Sequence, residues 1–286
     1  MKNKWLRWFL RALGVCVVLV LLVALGNCTS QPKIPAGITR TKHTVQLSKD
    51  RVTADVYLPK DVKSAPVVMV VHGFTRSRNN MSGWGVLLAQ QGFIVVVPTM
   101  PKLSANVRNG LAMRELLDQV MAEKLFTAPH PQPHHAALVG FSMGGCVTLL
   151  AAEKNPHVAA WVGLDPVDFS RLGEKVIKEL AVPSLVVRAE PAPFNLNGNC
   201  RHLITAAHGP MTAMCVKDST HCDAENPSSP LANLACGEVS AQRLKIYEKY
   251  VTAMLRKVLL KDPTADPILK SAATDSSLKD VVLPSA

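Results

Sequence analysis

The chain of 286 residues is 48% apolar and 19% charged, long enough to bury a large core without disulfide staples and too apolar for a disordered polymer. Its 16 glycines follow no three-residue period, which excludes collagen. Lysine and arginine together number 32 against 21 acids, a formal charge of +11 that is not evenly spread along the chain.

Lys2, Lys4, Arg7 and Arg11 precede an almost uncharged stretch, residues 12–25, in which 15–23 are apolar throughout. A basic start followed by an apolar core of about 7 to 15 residues has the shape of a secretory signal and is too short to span a membrane comfortably. The core ends in Leu25-Gly26-Asn27-Cys28, which resembles a bacterial lipoprotein processing box, although Asn27 stands where Gly, Ala or Ser is usual. Residues 1–27 are therefore expected to be a lipoprotein-type signal peptide, with Cys28 as the lipidated first residue of a chain held at the bacterial cell envelope. Cleavage near Cys28 without lipid, giving a periplasmic or secreted protein, and an uncleaved anchor are the alternatives. Removing residues 1–27 takes away four cations and no acid, which leaves +7, the charge of a solvated basic face. No Lys/Arg run interleaved with aromatics is present, so nucleic acid is not expected as a partner.

Residues 28–40, with Pro32, Pro35 and Gly37, read as a tether. Strand-length apolar runs then alternate with helical stretches. Strands are predicted over residues 52–58, 65–71, 93–98, 135–141, 158–164, 183–187 and 211–216, and helices over 81–91, 107–125, 144–153 and 241–260. Apolar strands separated by helices imply an α/β fold with a mostly parallel sheet and helices on both faces. No repeat or composition break divides residues 41–260, which read as one domain. Residues 261–286, with Pro263, Pro267, Ser271, Ser276 and Ser277, read as a loosely ordered tail.

Of the cysteines, Cys146 lies mid-chain, while Cys200, Cys215, Cys222 and Cys236 fall in a short C-terminal span. In an oxidising compartment one or two disulfides are expected there, with three possible pairings of the four. A zinc site is the weaker alternative, because no C-x-x-C pair occurs.

The strongest chemical signal is Gly140-Phe141-Ser142-Met143-Gly144-Gly145, a G-x-S-x-G pattern. An apolar strand runs directly into it and a helix former runs out. A strand turning sharply into a helix thrusts the Ser142 hydroxyl out at the carboxyl edge of the sheet. The adjoining helix start offers unpaired N–H groups to a developing oxyanion. A serine hydroxyl needs a base. Among nine histidines, His221 follows the last predicted strand on a loop at that same edge, where loops converge on one crevice. His72, before Gly73 at a strand end, suits a loop-shaping role instead. The acid should lie between serine and histidine at a strand tip. Asp165 follows residues 159–164 directly, Glu190 follows residues 184–189 of the next strand along, and Asp168 lies three residues past Asp165; Asp165 is the leading candidate and the other two are alternatives. The oxyanion donors should be the backbone N–H groups of Met143 and, from the loop His72-Gly73-Phe74-Thr75, of Phe74. Their side chains would line an apolar acyl site.

Together, His72-Gly73-Phe74, the Gly140 to Gly145 pattern, Asp165 and His221 resemble the α/β-hydrolase superfamily over nearly all of residues 45–260. The run Gly163-Leu164-Asp165-Pro166-Val167-Asp168 and the later Val216-Lys217-Asp218-Ser219-Thr220-His221 resemble chlorophyllases, in which the aspartate opening such a segment is the triad acid. Gly73-Phe74-Thr75, residues 84–92 and Ser142-Met143-Gly144-Gly145 resemble bacterial cutinases and polyester (PET) hydrolases of the dienelactone-hydrolase-like group. The chain departs from that second pattern at Ala192, near where those enzymes carry their acid, and at Phe141, where they often carry Trp or His. The resemblance implies two-step acyl transfer. Ser142 attacks an ester carbonyl, His221 takes its proton and Asp165 orients His221, with no metal or organic cofactor required and an ester with an apolar acyl part as substrate. An acyltransferase with the same triad and a catalytically silent binding lipoprotein of the same fold are the competing readings.

Overall fold

Runs such as Val67-Val68-Met69-Val70-Val71 are apolar at every position, so both faces of the strand they form must be covered. In the computed structural model, which describes residues 29–284, this is how they are used. Val67, Met69 and Val71 enter one core cluster while Val68 and Val70 enter another on the opposite face. Each such side chain taken fully from water contributes about 1.5–3 kcal/mol.

Nine strands form one sheet: β1 (Ile38–Gln46), β2 (Arg51–Pro59), β3 (Ser64–Val71), β4 (Ile94–Pro98), β5 (His130–Phe141), β6 (Val158–Leu164), β7 (Ser184–Arg188), β8 (Met211–Val216) and β9 (Leu278–Val282), in the order β1-β2-β4-β3-β5-β6-β7-β8-β9. The block from β4 to β8 is parallel, flanked by antiparallel β1–β2–β4 at one side and β9 at the other. Helices α1 (Ser82–Gln90) and α7 (Ala241–Leu259) cover one face through Trp84, Leu88, Tyr247, Val251 and Leu255. Helices α2 (Asn106–Met121), α3 (Met143–Ala152) and α4 (Leu172–Glu179) cover the other through Met113, Leu117, Val147, Leu149 and Ile177. Two short helices, α5 (Arg201–Ala206) and α6 (Pro230–Cys236), sit in the connections before and after β8, and α8 (Ala265–Lys270) follows α7.

The carboxyl ends of the parallel strands put the loops after β3, β5, β6, β7 and β8 at one edge. This is the geometry in which open α/β sheets build sites. It is the α/β-hydrolase fold.

Two expected boundaries are corrected. The segment from 261 onward is built into the fold: Leu269, Ala272 and Leu278 are buried, and β9 pairs with β8. The reason is chemical. Arg188 on β7 is buried, and a guanidinium taken from water needs a carboxylate, which Asp280 of β9 supplies. The same strand covers the edge of β8. At the other end, β1 begins at Ile38, inside the segment expected as tether, with Ile38 buried and paired opposite Pro59. The expected signal peptide and Cys28 lie outside the described residues. No described helix is long and apolar enough to cross a membrane. Cys146, Cys200, Cys215, Cys222 and Cys236 are all thiols, so none of the expected disulfides is closed in this structure.

Candidate active site

β5 ends at Phe141 and α3 begins at Met143, which leaves Ser142 as the whole of the turn between them. Its φ of 54° and ψ of −124° lie in a region that side chains rarely adopt, at a cost of about 1–3 kcal/mol. Three backbone bonds over-determine it: Ser142 N–H donates to Leu164 O at 3.1 Å, and Ser142 O accepts from Gly145 N–H and Val167 N–H at 2.9 Å each. The turn also needs room. A Cβ on Gly144 would lie 2.5 Å from the carbonyl oxygens of Val71 and His72, and one on Gly73 would lie 2.9 Å from Ser142 Cβ. The loop after β3 is thereby packed directly against the serine turn.

His221 opens a 3₁₀ turn, His221–Ala224, after β8. Its Nδ1–H faces Asp165 Oδ2 at 2.6 Å, so its Nε2 is left to accept from the Ser142 hydroxyl at 2.9 Å. The ring of Phe141 lies 4.9 Å from the imidazole centroid and restricts its tilt. All three polar groups are sheltered, with Ser142 and His221 each 7% exposed and Asp165 wholly buried. The turn itself is pinned from several elements. Asp223 accepts from Arg243 Nε at 2.6 Å and Ser240 N–H at 2.7 Å, and Trp84 Nε1–H donates to Ala224 O at 2.9 Å.

Asp165 stands at the tip of β6, at a φ of 39°. Besides the imidazole it accepts from Ala189 N–H on Oδ1 and from Asn195 Nδ2 on Oδ2, both at 3.0 Å. Asn195 has every amide group engaged: Nδ2 also donates to Glu190 O at 2.8 Å, while Oδ1 accepts from Ala192 N–H at 2.8 Å and Gly198 N–H at 2.9 Å. The amide thus ties the loop after β7 to the carboxylate at the end of β6. The two alternative acids are committed elsewhere. Glu190 Oε2 meets Lys279 Nζ at 2.5 Å. Asp168 accepts from the Cys146 thiol at 3.3 Å, from His202 Nε2 at 3.1 Å and from Glu174 N–H at the start of α4 at 3.0 Å. Burial and the Asp168 charge push the Cys146 thiol well up, so it is a hydrogen-bond donor and not a nucleophile.

The Met143 N–H belongs to the first turn of α3 and the Phe74 N–H to the turn after β3; among the described residues neither has a backbone acceptor of its own. Phe74 is 44% exposed and Met143 half-buried, so both side chains reach the surface of the crevice. Arg76, two residues after Phe74, donates through Nε to the buried Glu225 at 2.5 Å and so ties this loop to the one carrying His221. Burial holds the Glu225 carboxyl above its ordinary range, with the opposing pull of Arg76.

His72 shapes the loop from below. Its Nδ1–H donates to Gly73 O at 2.7 Å and its Nε2 accepts from Met100 N–H at 2.9 Å, so the ring is neutral. Burial pushes it down to about 4 from the ordinary 6.5. An unfolded chain takes up a proton below pH about 6.5 that the folded one refuses until about 4, so acidification through that window favours unfolding, by about 3 kcal/mol in all. Urea unfolding at pH 7 and pH 4 should therefore show a smaller acid loss in His72→Gln than in the unaltered chain. Equal losses would remove His72 as the acid-sensitive group.

Asn195 and the Arg76–Glu225 bridge are not picked out by sequence, and Phe141 is marked there only as a departure from the polyester-hydrolase pattern, not as a wall of the imidazole. Spacing gave no signal for the first two, since each joins loops far apart in the chain. Among the described residues no group of three or more His, Cys, Asp or Glu is arranged to hold a metal ion.

A nine-stranded sheet of this order, with a strained serine between β5 and the following helix, defines an α/β-hydrolase. Within that class the chain belongs to the PET hydrolase-like family, whose model matches residues 36–195. That stretch contains Ser142, Asp165 and Asn195 and stops short of His221. The chain is 23% identical over 137 residues to cutinase est2 of Thermobifida alba, covering 47% of this chain and 44% of that one. It is 28% identical over 138 residues to a bis(hydroxyethyl) terephthalate hydrolase of Streptomyces coelicolor, covering 47% and 43%. The matched segment spans less than half the length of these relatives.

Proposed function

We propose that this chain is an exported serine hydrolase that cleaves carboxylic esters by a Ser142–His221–Asp165 triad. The observation that carries the reading is the continuous pair of hydrogen bonds, 2.9 Å from Ser142 Oγ to His221 Nε2 and 2.6 Å from His221 Nδ1 to Asp165 Oδ2. Membership of the PET hydrolase-like family and the activities named for the relatives, a cutinase and a bis(hydroxyethyl) terephthalate hydrolase, support esters as substrates.

Ser142 Oγ attacks the ester carbonyl as its proton passes to His221 Nε2. The buried Asp165 carboxylate stabilises the imidazolium and keeps Nδ1 protonated. The Met143 and Phe74 N–H groups hold the oxyanion of the tetrahedral intermediate. The proton on Nε2 then goes to the departing alkoxide, and a water activated by the same nitrogen hydrolyses the acyl-enzyme. Exposed Phe74, Phe169 and Phe194, on the loops after β3, β6 and β7, give this edge an apolar surface suited to an apolar acyl part. The basic, then apolar leader and Cys28 support export and a lipid anchor.

The test is hydrolysis of chromogenic esters of increasing acyl length by the full chain in detergent micelles, with a fluorophosphonate probe in parallel. Turnover together with a single phosphonyl adduct on Ser142 is the expected result. Folded protein that neither turns over any ester nor takes the probe at Ser142 would overturn the reading.

A further inference from the structure

Two cysteines lie beside the histidine turn and take no part in the mechanism above. Cys222 immediately follows His221 and is buried, while Cys236 closes α6 and is partly exposed. The two side chains are neighbours, close enough for each thiol to perturb the other. The chain beyond Cys236 continues along the same turn. A Cβ on Gly237 would sit 3.3 Å from Thr220 Cγ2, and Ser240 N–H donates to Asp223 Oδ1 at 2.7 Å. Residues 236–240 therefore run against residues 220–223, which brings Cys236 beside the turn that carries Cys222.

We propose that Cys222 and Cys236 form a redox-controlled clasp, a disulfide that joins the turn carrying His221 to the end of α6. Sequence leaves three pairings open among the four C-terminal cysteines. The fold favours this one, because Cys215 is turned into the sheet with its thiol on Ala189 O at 3.4 Å, and Cys200 is buried in the core beneath α2 to α4.

The oxidant is a disulfide, such as oxidised glutathione or the disulfide of a thiol oxidoreductase in an oxidising compartment. The thiolate of Cys236 attacks one oxidant sulfur, forming a mixed disulfide and expelling one thiolate. Cys222 then gives up its proton and attacks Cys236 Sγ, which closes the clasp and expels the second thiolate. In sum the protein loses two hydrogens and one oxidant disulfide becomes two thiols. The order of attack follows from access and charge. Cys236 is the more exposed partner, and the neighbouring Cys222, with His221 and Arg76, lowers its thiol from the ordinary 9.0, whereas the neighbouring Cys236 and burial push Cys222 up.

The experiment treats the full chain in detergent micelles with oxidised glutathione, alkylates it and digests it with trypsin. Cleavage after Lys217 and Arg243 releases residues 218–243 as one peptide that holds both sulfurs. This peptide should be two hydrogens lighter than the dithiol and take no alkyl group, and dithiothreitol before alkylation should restore two. Closing a loop of about 15 residues should raise Tm by about 6 °C, a gain that reduction removes and that Cys236→Ser lacks. Cys222→Ser should retain glutathione on Cys236, while Cys236→Ser should leave the buried Cys222 unmodified. A peptide alkylated at both cysteines after oxidation overturns the clasp, and glutathione retained on Cys222 but not on Cys236 overturns the order of attack. These readouts are masses and melting points, so they are independent of whether the chain hydrolyses esters.

Discussion

Ser142→Ala should lower kcat for a chromogenic ester by a factor of about 10⁵ to 10⁶, with KM and the melting temperature nearly unchanged. The size of the effect follows from what the hydroxyl does. In the proposed mechanism its oxygen makes the bond that splits ester cleavage into two steps. Cys146, the nearest nucleophilic side chain in sequence, is a buried protonated thiol engaged with Asp168. The fold should tolerate the change. Alanine meets the same backbone strain at φ 54° as serine does, and the three bonds that set the turn come from backbone atoms. A residual rate above that in water should persist, because the proposed oxyanion donors, the Met143 and Phe74 N–H groups, would still stabilise a water-derived oxyanion. Steady-state kinetics with a thermal melt of the same preparation checks this. A variant that keeps a tenth of the rate would remove Ser142 from the chemistry.

The elements legible in sequence were those whose physics is local. β6 and β8 came out at their observed ends, because every residue of these strands is apolar or small and turn residues bound them. β1 was read in part as tether because its sequence, Ile-Thr-Arg-Thr-Lys-His-Thr-Val-Gln, is exposed along most of an edge strand and carries no apolar alternation. β9 was missed for the same reason. Its Lys279 and Asp280 look like solvated charges until Glu190 and the buried Arg188 are found beside them. The site divides along the same line. A serine between strand and helix, an acid at a strand tip and a histidine after the last parallel strand are each marked by chain order. Asn195 and the Arg76–Glu225 bridge act only where loops from different strands meet, so their roles are properties of the sheet edge and of no short segment. The cysteines behave likewise: their crowding is visible in sequence, but the pairing proposed for Cys222 and Cys236 depends on how the chain after α6 returns to the histidine turn.

Asp165→Asn should reduce kcat by about 10⁴, while Glu190→Gln should leave it within about twofold. Asp165 accepts three hydrogen bonds, from His221 Nδ1–H, Ala189 N–H and the Asn195 amide, and donates none. An asparagine there must turn its NH₂ toward one of these donors. If it faces His221, Nδ1 becomes the acceptor, the proton moves to Nε2, and the imidazole can no longer take the proton of Ser142. If it faces Ala189, a buried donor is left against a donor, at about 1–3 kcal/mol, and the imidazolium still loses its counter-charge. Glu190 faces a different partner. It loses only a half-exposed ion pair with Lys279, worth about 0–1 kcal/mol of stability. Asn195→Ala separates position from charge: the carboxylate stays ionised but loses the amide that fixes its plane, so kcat should fall about tenfold with little change in KM. Kinetics of the three variants on one ester give the ordering Asp165→Asn, then Asn195→Ala, then Glu190→Gln. Finding Glu190→Gln at the head of that order would transfer the acid role to Glu190, on the loop after β7.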